Sequence, residues 1–404
     1  MVEIKEKDKG WHGGMAKSIT FIVTKDCQLA CKYCYLVGKN SKERMSWDIA
    51  KQAIDYILSH EEDFKEENVI FDFIGGEPFL EVELIDKICD YIKVELYRLN
   101  HHWFNSYRFN ITTNGINYND IKVQEYIMKN IKHLNIGITI DGTELKHDLN
   151  RIYKNSGKGS YKDVVRNIPL WVKQFPYSGT KVTISSADIP YIKESVLHLY
   201  SLGIHEVSIN CVFEKVWNEG DDILFENQLI ELADEIIDKG YYQDYACSFY
   251  MERLGKPLDI KLHNQNWCGA GKMLAVDAAG LFYPCTRFAQ YSLREKNACI
   301  IGNVKEGINY NLLRPFLTLD RCTQSSQECI DCEVSEGCAW CQGENYDAAD
   351  TSTIFQRSTA ICKMHKARVR ANNYYWNKLY RKLELEGQRE EYEMNKKEVK
   401  QEIC

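Results

Sequence analysis

The chain has 404 residues, a formal net charge of −7 at pH 7 and a pI near 5.9. This acidic balance argues against a nucleic-acid partner, and no apolar run approaches the ~20 residues that a membrane span needs. The segment 1–10 is charged and lacks the apolar centre of a secretory signal, so we expect a cytoplasmic protein or one from a comparably reducing compartment.

The first 240 residues alternate between short β-rich runs and segments with helical spacing. Such alternation predicts an α/β fold of βαβ units with a parallel sheet that curls toward a barrel. A closed barrel needs eight units, and six are found, so we expect a partial (β/α)6 TIM barrel with an open side. Strands are predicted at Ser18–Thr24, Val69–Ile74, Arg108–Thr113, Leu134–Ile140, Lys181–Ser185 and Glu206–Val212, and helices at Trp47–Ser59, Glu81–Leu99, Ile121–Ile131, Tyr161–Lys173, Ile192–Leu202 and Ile223–Lys239.

Four regions are expected along the chain: the partial barrel over 1–240, a bridging region over 241–265, a small cysteine-rich iron–sulfur domain over 266–365 and a charged C-terminal helix over 366–404. The third region has few long apolar runs, and a region of that kind is normally held together by metal. The helical pattern of the fourth covers Lys363–Arg389 and is typical of a solvated helix face.

The 16 cysteines are clustered, with three between Cys27 and Cys34 and nine between Cys268 and Cys362. In a reducing compartment thiols stay free, so this usage indicates metal binding rather than disulfides.

Cys27, Cys31 and Cys34 follow the first predicted strand directly, and loops after the strands form the reactive face of a parallel barrel. Three thiolates from one short loop can bind three irons of a 4Fe–4S cluster and leave the fourth iron open to a small molecule. Zinc is the alternative, but zinc needs a fourth nearby ligand, and no other Cys and no His stands beside this loop.

The spacing of these cysteines, with the aromatic Tyr33 before the last one, resembles the signature of the radical SAM superfamily, whose members reductively cleave S-adenosylmethionine (SAM). Gly75-Gly76-Glu77-Pro78, after the second predicted strand, resembles the family's methionine-binding motif. The resemblance implies that its backbone and the Glu77 carboxylate receive the SAM amino group. Glycines allow such a close approach, and a carboxylate is the natural partner of an ammonium.

Two later segments extend this resemblance. Thr112–Gly115, with Thr113 and Asn114, resembles the segment that approaches the SAM ribose. The segments 137–142, with Thr139, and 147–151 are similar to the fourth-strand region, which implies that Arg151 binds the SAM carboxylate. Each motif alone can be an ordinary turn. Their order at successive strand ends favours a SAM site.

The second group of cysteines resembles the SPASM extension of peptide-modifying radical SAM enzymes, which usually holds two auxiliary 4Fe–4S clusters. With the cluster of the first loop, this implies three 4Fe–4S clusters. One spacing departs from the pattern, because two residues rather than three separate Cys338 from Cys341. By resemblance, one auxiliary cluster is held by Cys268, Cys285 and Cys341, and the other by Cys329, Cys332, Cys338 and Cys362.

Two points stay open in this region. The pairs Cys329-x-x-Cys332 and Cys338-x-x-Cys341 can also be read as a zinc site, although only five residues separate them. The first auxiliary cluster has three obvious ligands, and its fourth position can be filled by Cys322, by Cys299 or by no protein ligand. We expect Cys322, because it is close in sequence to the other ligands.

The segments Trp11–Met15 and Gly337–Gly343 resemble maturases of cysteine-repeat peptides, of which the freyrasin-type thioether maturase is the nearest. The resemblance implies a cysteine-containing precursor peptide, a flavodoxin or ferredoxin-type electron donor, and thioether cross-links made with a 5′-deoxyadenosyl radical. Because the first strand begins near Ser18, we expect no separate leader-binding domain before the barrel.

Two other functions were weighed. Anaerobic sulfatase maturases, which make formylglycine, place an aspartate base after the cysteine that matches Cys285, where this chain has Thr286. An electron-transfer or iron–sulfur scaffold protein would leave the Gly75–Pro78 and Asn114 segments without a purpose.

Overall fold

The computed structural model describes residues 16–263, 266, 268–389 and 392, so the segment Trp11–Met15 lies outside the described residues. Six parallel strands form its centre. The first four pair in chain order within one sheet, and the last two pair in another. They are β1 (Ala16–Thr24), β2 (Asn68–Gly75), β3 (Tyr107–Thr113), β4 (Leu134–Ile138), β5 (Thr180–Ile184) and β6 (Glu206–Cys211).

Helices follow these strands, and the first helix shows which features of the sequence favour a helix. Its N-cap Ser46 accepts a hydrogen bond from the Ile49 backbone N–H, and apolar residues from Ala50 to Leu58 recur at helical spacing on one buried face. The helices of this half are α1 (Trp47–Ser59), α2 (Val82–Arg98), α3 (Ile121–Asn130), α4 (Glu144–Asn150), α5 (Tyr161–Val165), α6 (Ile168–Gln174), α7 (Ile192–Ser201) and α8 (Asp221–Asp238).

The single helix predicted over Tyr161–Lys173 is in fact two, α5 and α6. Pro169 lies in the first turn of α6. Proline has no backbone N–H and its ring clashes with the carbonyl four residues earlier, so it is tolerated only where a helix begins.

The strands bury alternate side chains. Phe71 and Phe73 of β2 and Phe109 of β3 pack with one another in the core. The opposite face carries a row of polar side chains, in which Asp72 lies in register with Asn110, and Asn110 with Asn135. This row is suited to polar contacts with a substrate.

β4 and β5 lie in different sheets but are joined by side chains. The Thr180 hydroxyl donates to the Ile138 carbonyl at 2.7 Å and accepts from the Ile140 N–H at 3.1 Å. The Asp141 carboxylate accepts from the Thr183 N–H at 3.2 Å. These bonds fix the loop after β4, which carries two of the site residues described below.

The cysteine-rich half is built onto the barrel. Strand β8 pairs in parallel with β1, and β8 to β11 continue the same sheet as antiparallel strands. The remaining elements are β7 (Ala246–Cys247), β8 (Leu274–Val276), β9 (Leu281–Tyr283), β10 (Gly302–Asn303), β11 (Gly307–Ile308), α9 (Tyr310–Leu317), α10 (Arg321–Gln324), α11 (Gln327–Ile330), α12 (Gln342–Asp347) and α13 (Cys362–Leu385).

The long helix α13 packs along α8 and is not a wholly solvated arm, because Ala371, Tyr375 and Leu379 on one of its faces are buried. Within the described part of the chain, no helix combines the length and the apolar character that a bilayer crossing demands.

Candidate active site

The loop after β1 carries Cys27, Cys31 and Cys34 at the carboxyl end of the parallel strands. Cys27 is buried, and its Sγ accepts a hydrogen bond from the Leu29 N–H at 3.3 Å. The Asn114 Nδ2, from the end of β3, lies 3.9 Å from the same sulfur. Burial raises the pKa of Cys27 to about 11. A cation such as a cluster iron would be needed to hold this thiol in its thiolate form.

Backbone pairing holds this loop against the segment that follows α4. The Ala30 N–H donates to the Ile152 carbonyl at 2.8 Å, and the Lys32 N–H donates to the Asn150 carbonyl at 3.1 Å. Arg151 lies between these two acceptors and close to Tyr33 and Cys31. Burial lowers the pKa of the guanidinium, but Tyr33 and then Cys31 raise it above its usual value. The structure therefore places Arg151 beside the cysteine loop, although that loop precedes Arg151 by 117 or more residues in the chain.

Arg151 is the end of a short hydrogen-bonded chain. Its Nη1 donates to the Tyr33 hydroxyl at 2.9 Å, and that hydroxyl donates to Oδ2 of Asp141. Arg151 is 6% exposed, and its Nε has no hydrogen-bond partner among the described residues. A buried guanidinium with an unused donor fits an anionic ligand such as the SAM carboxylate. Asp141 was not predicted as a site residue, although it lies within the segment 137–142.

Gly75 and Gly76 pack directly on the start of the cysteine loop. A Cβ on Gly75 would lie 2.3 Å from the Thr24 carbonyl oxygen, and one on Gly76 would lie 2.1 Å from the Asp26 carbonyl oxygen. The Gly76 N–H donates to Thr24 at 2.9 Å. Only glycine allows this approach, which joins the ends of β1 and β2 beneath the cysteines.

Glu77 is 1% exposed and joins the ends of β2 and β3. Its carboxylate accepts hydrogen bonds from the Thr113 hydroxyl at 2.6 Å, the Asn114 N–H at 2.7 Å and the Phe79 N–H at 3.0 Å. Burial raises the pKa of Glu77, and these hydrogen bonds oppose the rise. The carboxylate thus braces the Gly75–Pro78 turn against β3, a role that the sequence did not indicate.

Thr139 extends this brace to the fourth strand end, since its N–H donates to the Thr113 carbonyl at 2.9 Å. Pro78, the last residue of the turn, begins a short 3₁₀ helix over Pro78–Glu81. The predicted SAM-site residues therefore converge at the carboxyl ends of β1 to β4. The donor set, the glycine approach and the unused Arg151 donor fit a 4Fe–4S cluster with SAM.

The predicted auxiliary ligands meet in two groups of thiols. Burial raises the pKa of Cys285, and the nearby Cys268 and Cys341 thiols raise it further. We call Cys268, Cys285 and Cys341 the first auxiliary group. Burial and nearby thiols also raise the pKa of Cys338 and of Cys362. The thiols near Cys338 and Cys362 include those of Cys329 and Cys332. We call Cys329, Cys332, Cys338 and Cys362 the second auxiliary group.

The two residues considered for the fourth position of the first auxiliary group lie on different segments. Cys322 is partly buried on α10. Cys299 is also partly buried, and its N–H donates at 3.0 Å to the carbonyl of Phe288, three residues after Cys285. The ligand role of Cys322 remains a prediction.

Tyr35 lies close to both the first loop and the first auxiliary group. Burial raises the pKa of Tyr35 to about 12, and the thiols of Cys34 and Cys285 both add to the rise. The Arg287 guanidinium lies 4.6 Å from the centre of the Tyr35 ring. Tyr35 therefore connects the loop that carries Cys34 with the group that contains Cys285.

Arg287 also links the barrel to the cysteine-rich half. Its Nη2 donates to Glu214, in the loop after β6, at 3.1 Å and to Glu344, on α12, at 2.9 Å. Burial and the charge of Glu214 raise the pKa of Glu344 to about 7. These ion pairs hold the loop after β6 against α12.

Two cavities flank this region. One of about 410 Å³ lies between the loop after β6, with Lys215 and Trp217, and the segment Arg357–Ala360. The other, of about 340 Å³, is lined by polar residues of β3 to β6 that include Asn110 and Lys181. Both are large enough to hold several residues of an extended peptide.

Known proteins resemble this chain in sequence. Residues 13–166 match the family described as a 4Fe-4S single cluster domain. The uncharacterized protein MJ0907 of Methanocaldococcus jannaschii is 34% identical over 296 residues, which are 72% of this chain and 93% of that protein. TigE of Paramaledivibacter caminithermalis, a radical SAM cyclopropyl synthase, is 23% identical over 344 residues, which are 81% of this chain and 68% of TigE. The chain belongs to the same protein family as MJ0907, which it matches through the greater part of both sequences.

Solved structures confirm the radical SAM fold predicted for the chain. Native anSMEcpe with bound AdoMet and Cp18Cys peptide has a TM-score of 0.61 at 16% identity, covering 90% of this chain and 99% of that one. Streptococcus suis SuiB bound to its precursor peptide SuiA has a TM-score of 0.55 at 13% identity, covering 89% of this chain and 78% of that one. Likeness at these identities concerns the fold, a parallel α/β barrel followed by a cysteine-rich region.

Proposed function

We propose that this radical SAM protein is a maturase of a ribosomally made peptide and installs cysteine thioether cross-links. Cys27, Cys31 and Cys34 hold the SAM-binding cluster in this proposal, and the two auxiliary groups hold one 4Fe–4S cluster each. When bound, SAM and the reduced cluster supply a 5′-deoxyadenosyl radical that removes a hydrogen atom from a peptide carbon.

The observation that carries this proposal is the position of Tyr35, which lies close to Cys34 of the first loop, to Cys285 of the first auxiliary group and to Arg287. A thioether joins a carbon of one residue to the sulfur of another, so both partners must be held close together. A peptide bound beside Tyr35 can present its carbon to the SAM site and its cysteine sulfur to the first auxiliary group.

Two carboxylates that can accept a proton, those of Glu214 and Glu344, form ion pairs with Arg287 beside Tyr35. The position after Cys285 is occupied by Thr286, whose hydroxyl is hydrogen-bonded to Tyr35. A formylglycine-forming enzyme is expected to have an aspartate base there, and a threonine hydroxyl cannot accept a proton in that way. This difference favours the thioether reaction over formylglycine formation.

The partners of this reaction are a cysteine-containing precursor peptide and a one-electron donor of the flavodoxin or ferredoxin type. The row of polar side chains on β2 to β4 and the two cavities suit the peptide, whose backbone amides need hydrogen-bond partners. Peptides are bound by anSMEcpe and SuiB in their solved structures.

Product mass and thiol reactivity test the proposal. The anaerobically reconstituted protein would be incubated with SAM, dithionite and a synthetic cysteine-repeat peptide. We expect the loss of one pair of hydrogens per modified cysteine, with thiols that no longer react with iodoacetamide. An aldehyde that reacts with a hydrazine would contradict the proposal in favour of formylglycine. Hydrogen loss with fully reactive thiols would instead indicate a carbon–carbon ring closure, as the name of TigE describes for that protein.

A further inference from the structure

Two arginines face the second auxiliary group from different segments. Arg321, at the start of α10, is 2% exposed, and Arg357 lies in the segment before α13. Arg357 donates from Nη2 to the Sγ of Cys338 at 3.0 Å. The guanidinium groups lie 4.4 Å (Arg357) and 5.5 Å (Arg321) from the ring centre of Trp340, which lies between Cys338 and Cys341 in sequence.

Neither arginine forms an ion pair with a carboxylate in the part of the chain that the structure describes. The other polar contacts of their guanidinium groups are neutral: Arg321 donates to the Ser335 carbonyl at 3.1 Å, and Arg357 donates to the Ser325 hydroxyl at 3.2 Å. Among the described residues, the buried Nε of Arg321 has no hydrogen-bond partner. A buried cation that lacks a counter-charge destabilises a fold.

The missing counter-charge is available from the cysteines. The thiols of Cys338, Cys329 and Cys332, three members of the second auxiliary group, lie near Arg321. Four thiolates carry more negative charge than a 4Fe–4S core carries positive charge, so a loaded site is an anion. The negative charge of the loaded site would offset the positive charge of the two guanidinium groups. The cysteines and arginines of this site therefore fit a 4Fe–4S cluster.

We propose that Arg321 and Arg357 are the counter-charges of the second auxiliary cluster and raise its reduction potential. Reduction adds one negative charge to the cluster, and nearby cations and a hydrogen bond to a ligand sulfur stabilise the reduced form more than the oxidised form. The inference rests on the ligand set Cys329, Cys332, Cys338 and Cys362. It does not depend on which cross-link the protein makes in its peptide substrate.

The first auxiliary group provides an internal contrast. Arg287 and Lys181 are its neighbouring cations, but Glu214 and Glu344 form ion pairs with Arg287, and Asp72 is the carboxylate next to Lys181. These carboxylates offset much of the positive charge near the thiols. We expect the second auxiliary cluster to have the higher potential of the two.

A redox titration followed by electron paramagnetic resonance tests the proposal without any peptide. The full chain with Cys27, Cys31 and Cys34 changed to alanine should show two reduction waves from the auxiliary clusters. In this background Arg357→Gln should lower the midpoint potential of the higher wave and leave the other unchanged. Arg357→Lys, which keeps the charge but loses the planar donor, should lie between Arg357→Gln and the parent. The control Arg314→Gln, at an exposed position on α9, should change neither wave.

Each outcome decides the question. Two unchanged waves in Arg357→Gln, equal shifts of both waves, or a second site that holds zinc and gives no wave would overturn the proposal. If Arg357→Gln does not retain the cluster, Arg321→Gln decides, and a potential equal to that of the parent would overturn it. Because no peptide is present, failure of the thioether proposal would not alter these potentials.

Discussion

Arg151 donates a hydrogen bond from Nη1 to the hydroxyl of Tyr33 at 2.9 Å. Because this hydroxyl accepts from Arg151, its own single proton is free for Asp141, which accepts it. Burial opposes the ionisation of Asp141, but Lys146 and Arg151 hold the pKa of this carboxyl below its usual value. The ionised Asp141 thus fixes the direction of the Tyr33 hydroxyl, and Tyr33 in turn fixes Arg151 beside the cysteine loop.

Replacement of Tyr33 by phenylalanine should therefore weaken SAM binding. The change removes the acceptor of Arg151 and leaves the buried Asp141 oxygen without its donor. A hydrogen bond to a charged group contributes about 1.5 kcal/mol or more, so we expect the dissociation constant for SAM to rise about tenfold. Anaerobic isothermal titration calorimetry on the cluster-loaded protein measures this constant.

Tyr153→Phe is the matched control for Tyr33→Phe. The Tyr153 hydroxyl also donates to a carboxylate, that of Asp163, at 2.6 Å, but it makes no contact with Arg151 or Asp141 in the described residues. We expect SAM affinity close to wild type in this variant. Equal affinities in the two variants would show that the Tyr33 hydroxyl does not position Arg151.

Replacement of Cys27, Cys31 and Cys34 together by alanine should remove one cluster and spare the others. If each of the three sites holds one 4Fe–4S cluster, about a third of the iron and sulfide should be lost. Formation of 5′-deoxyadenosine should cease, because no open iron remains to bind SAM. Chemical analysis of the anaerobically reconstituted protein measures the first, and chromatography measures the second. Undiminished iron or continued 5′-deoxyadenosine formation would show that the SAM cluster lies elsewhere.

The barrel could be predicted from the sequence because its strands and helices have strong local patterns. Alternating burial in β2 and helical spacing in α1 both follow from side chains within one element. The pairing of β8 with β1 could not be predicted, because only three residues of β8 take part and their partners lie more than 250 residues earlier. Pro169 was a visible signal for the division of the predicted helix into α5 and α6, since proline cannot continue a helix.

The candidate site was predicted where residues share a motif and missed where they meet only in the fold. Glu77 lay in a motif, but its bonds to Thr113 and Asn114 depend on how β2 and β3 end together. Arg357 contacts Cys338 across 19 residues, and nothing in the sequence marked it. Buried charges are rare and need partners. An arginine or lysine close to a cysteine-rich segment is therefore a useful signal for a contact of this kind.

Cys322→Ala should destabilise the first auxiliary cluster if Cys322 is its fourth ligand. We expect this variant to lose iron on gel filtration and to have little turnover, because a cluster with three thiolates is held less firmly. Cys299→Ala is the matched control, since Cys299 is also a partly buried thiol of the cysteine-rich half. The opposite result, loss from Cys299→Ala alone, would assign the position to Cys299. Wild-type iron content and activity in both variants would indicate an iron left open to the substrate.

Stability should depend on pH through Glu344. Burial and Glu214 raise the pKa of this carboxyl in the folded chain from 4.5 to about 7, with Asp347 adding to the rise, while Arg287 and Arg294 oppose it. The folded chain therefore binds this proton more tightly than the unfolded chain, and the stability contributed by protonation is lost as the pH rises toward about 7. We expect the free energy of unfolding, measured anaerobically with denaturant, to fall between pH 4.5 and about pH 7. In Glu344→Gln, which stays neutral, this fall should be smaller, whereas the exposed control Glu333→Gln should follow the wild type. If Glu344→Gln kept the full wild-type fall, other groups would be responsible for the pH dependence.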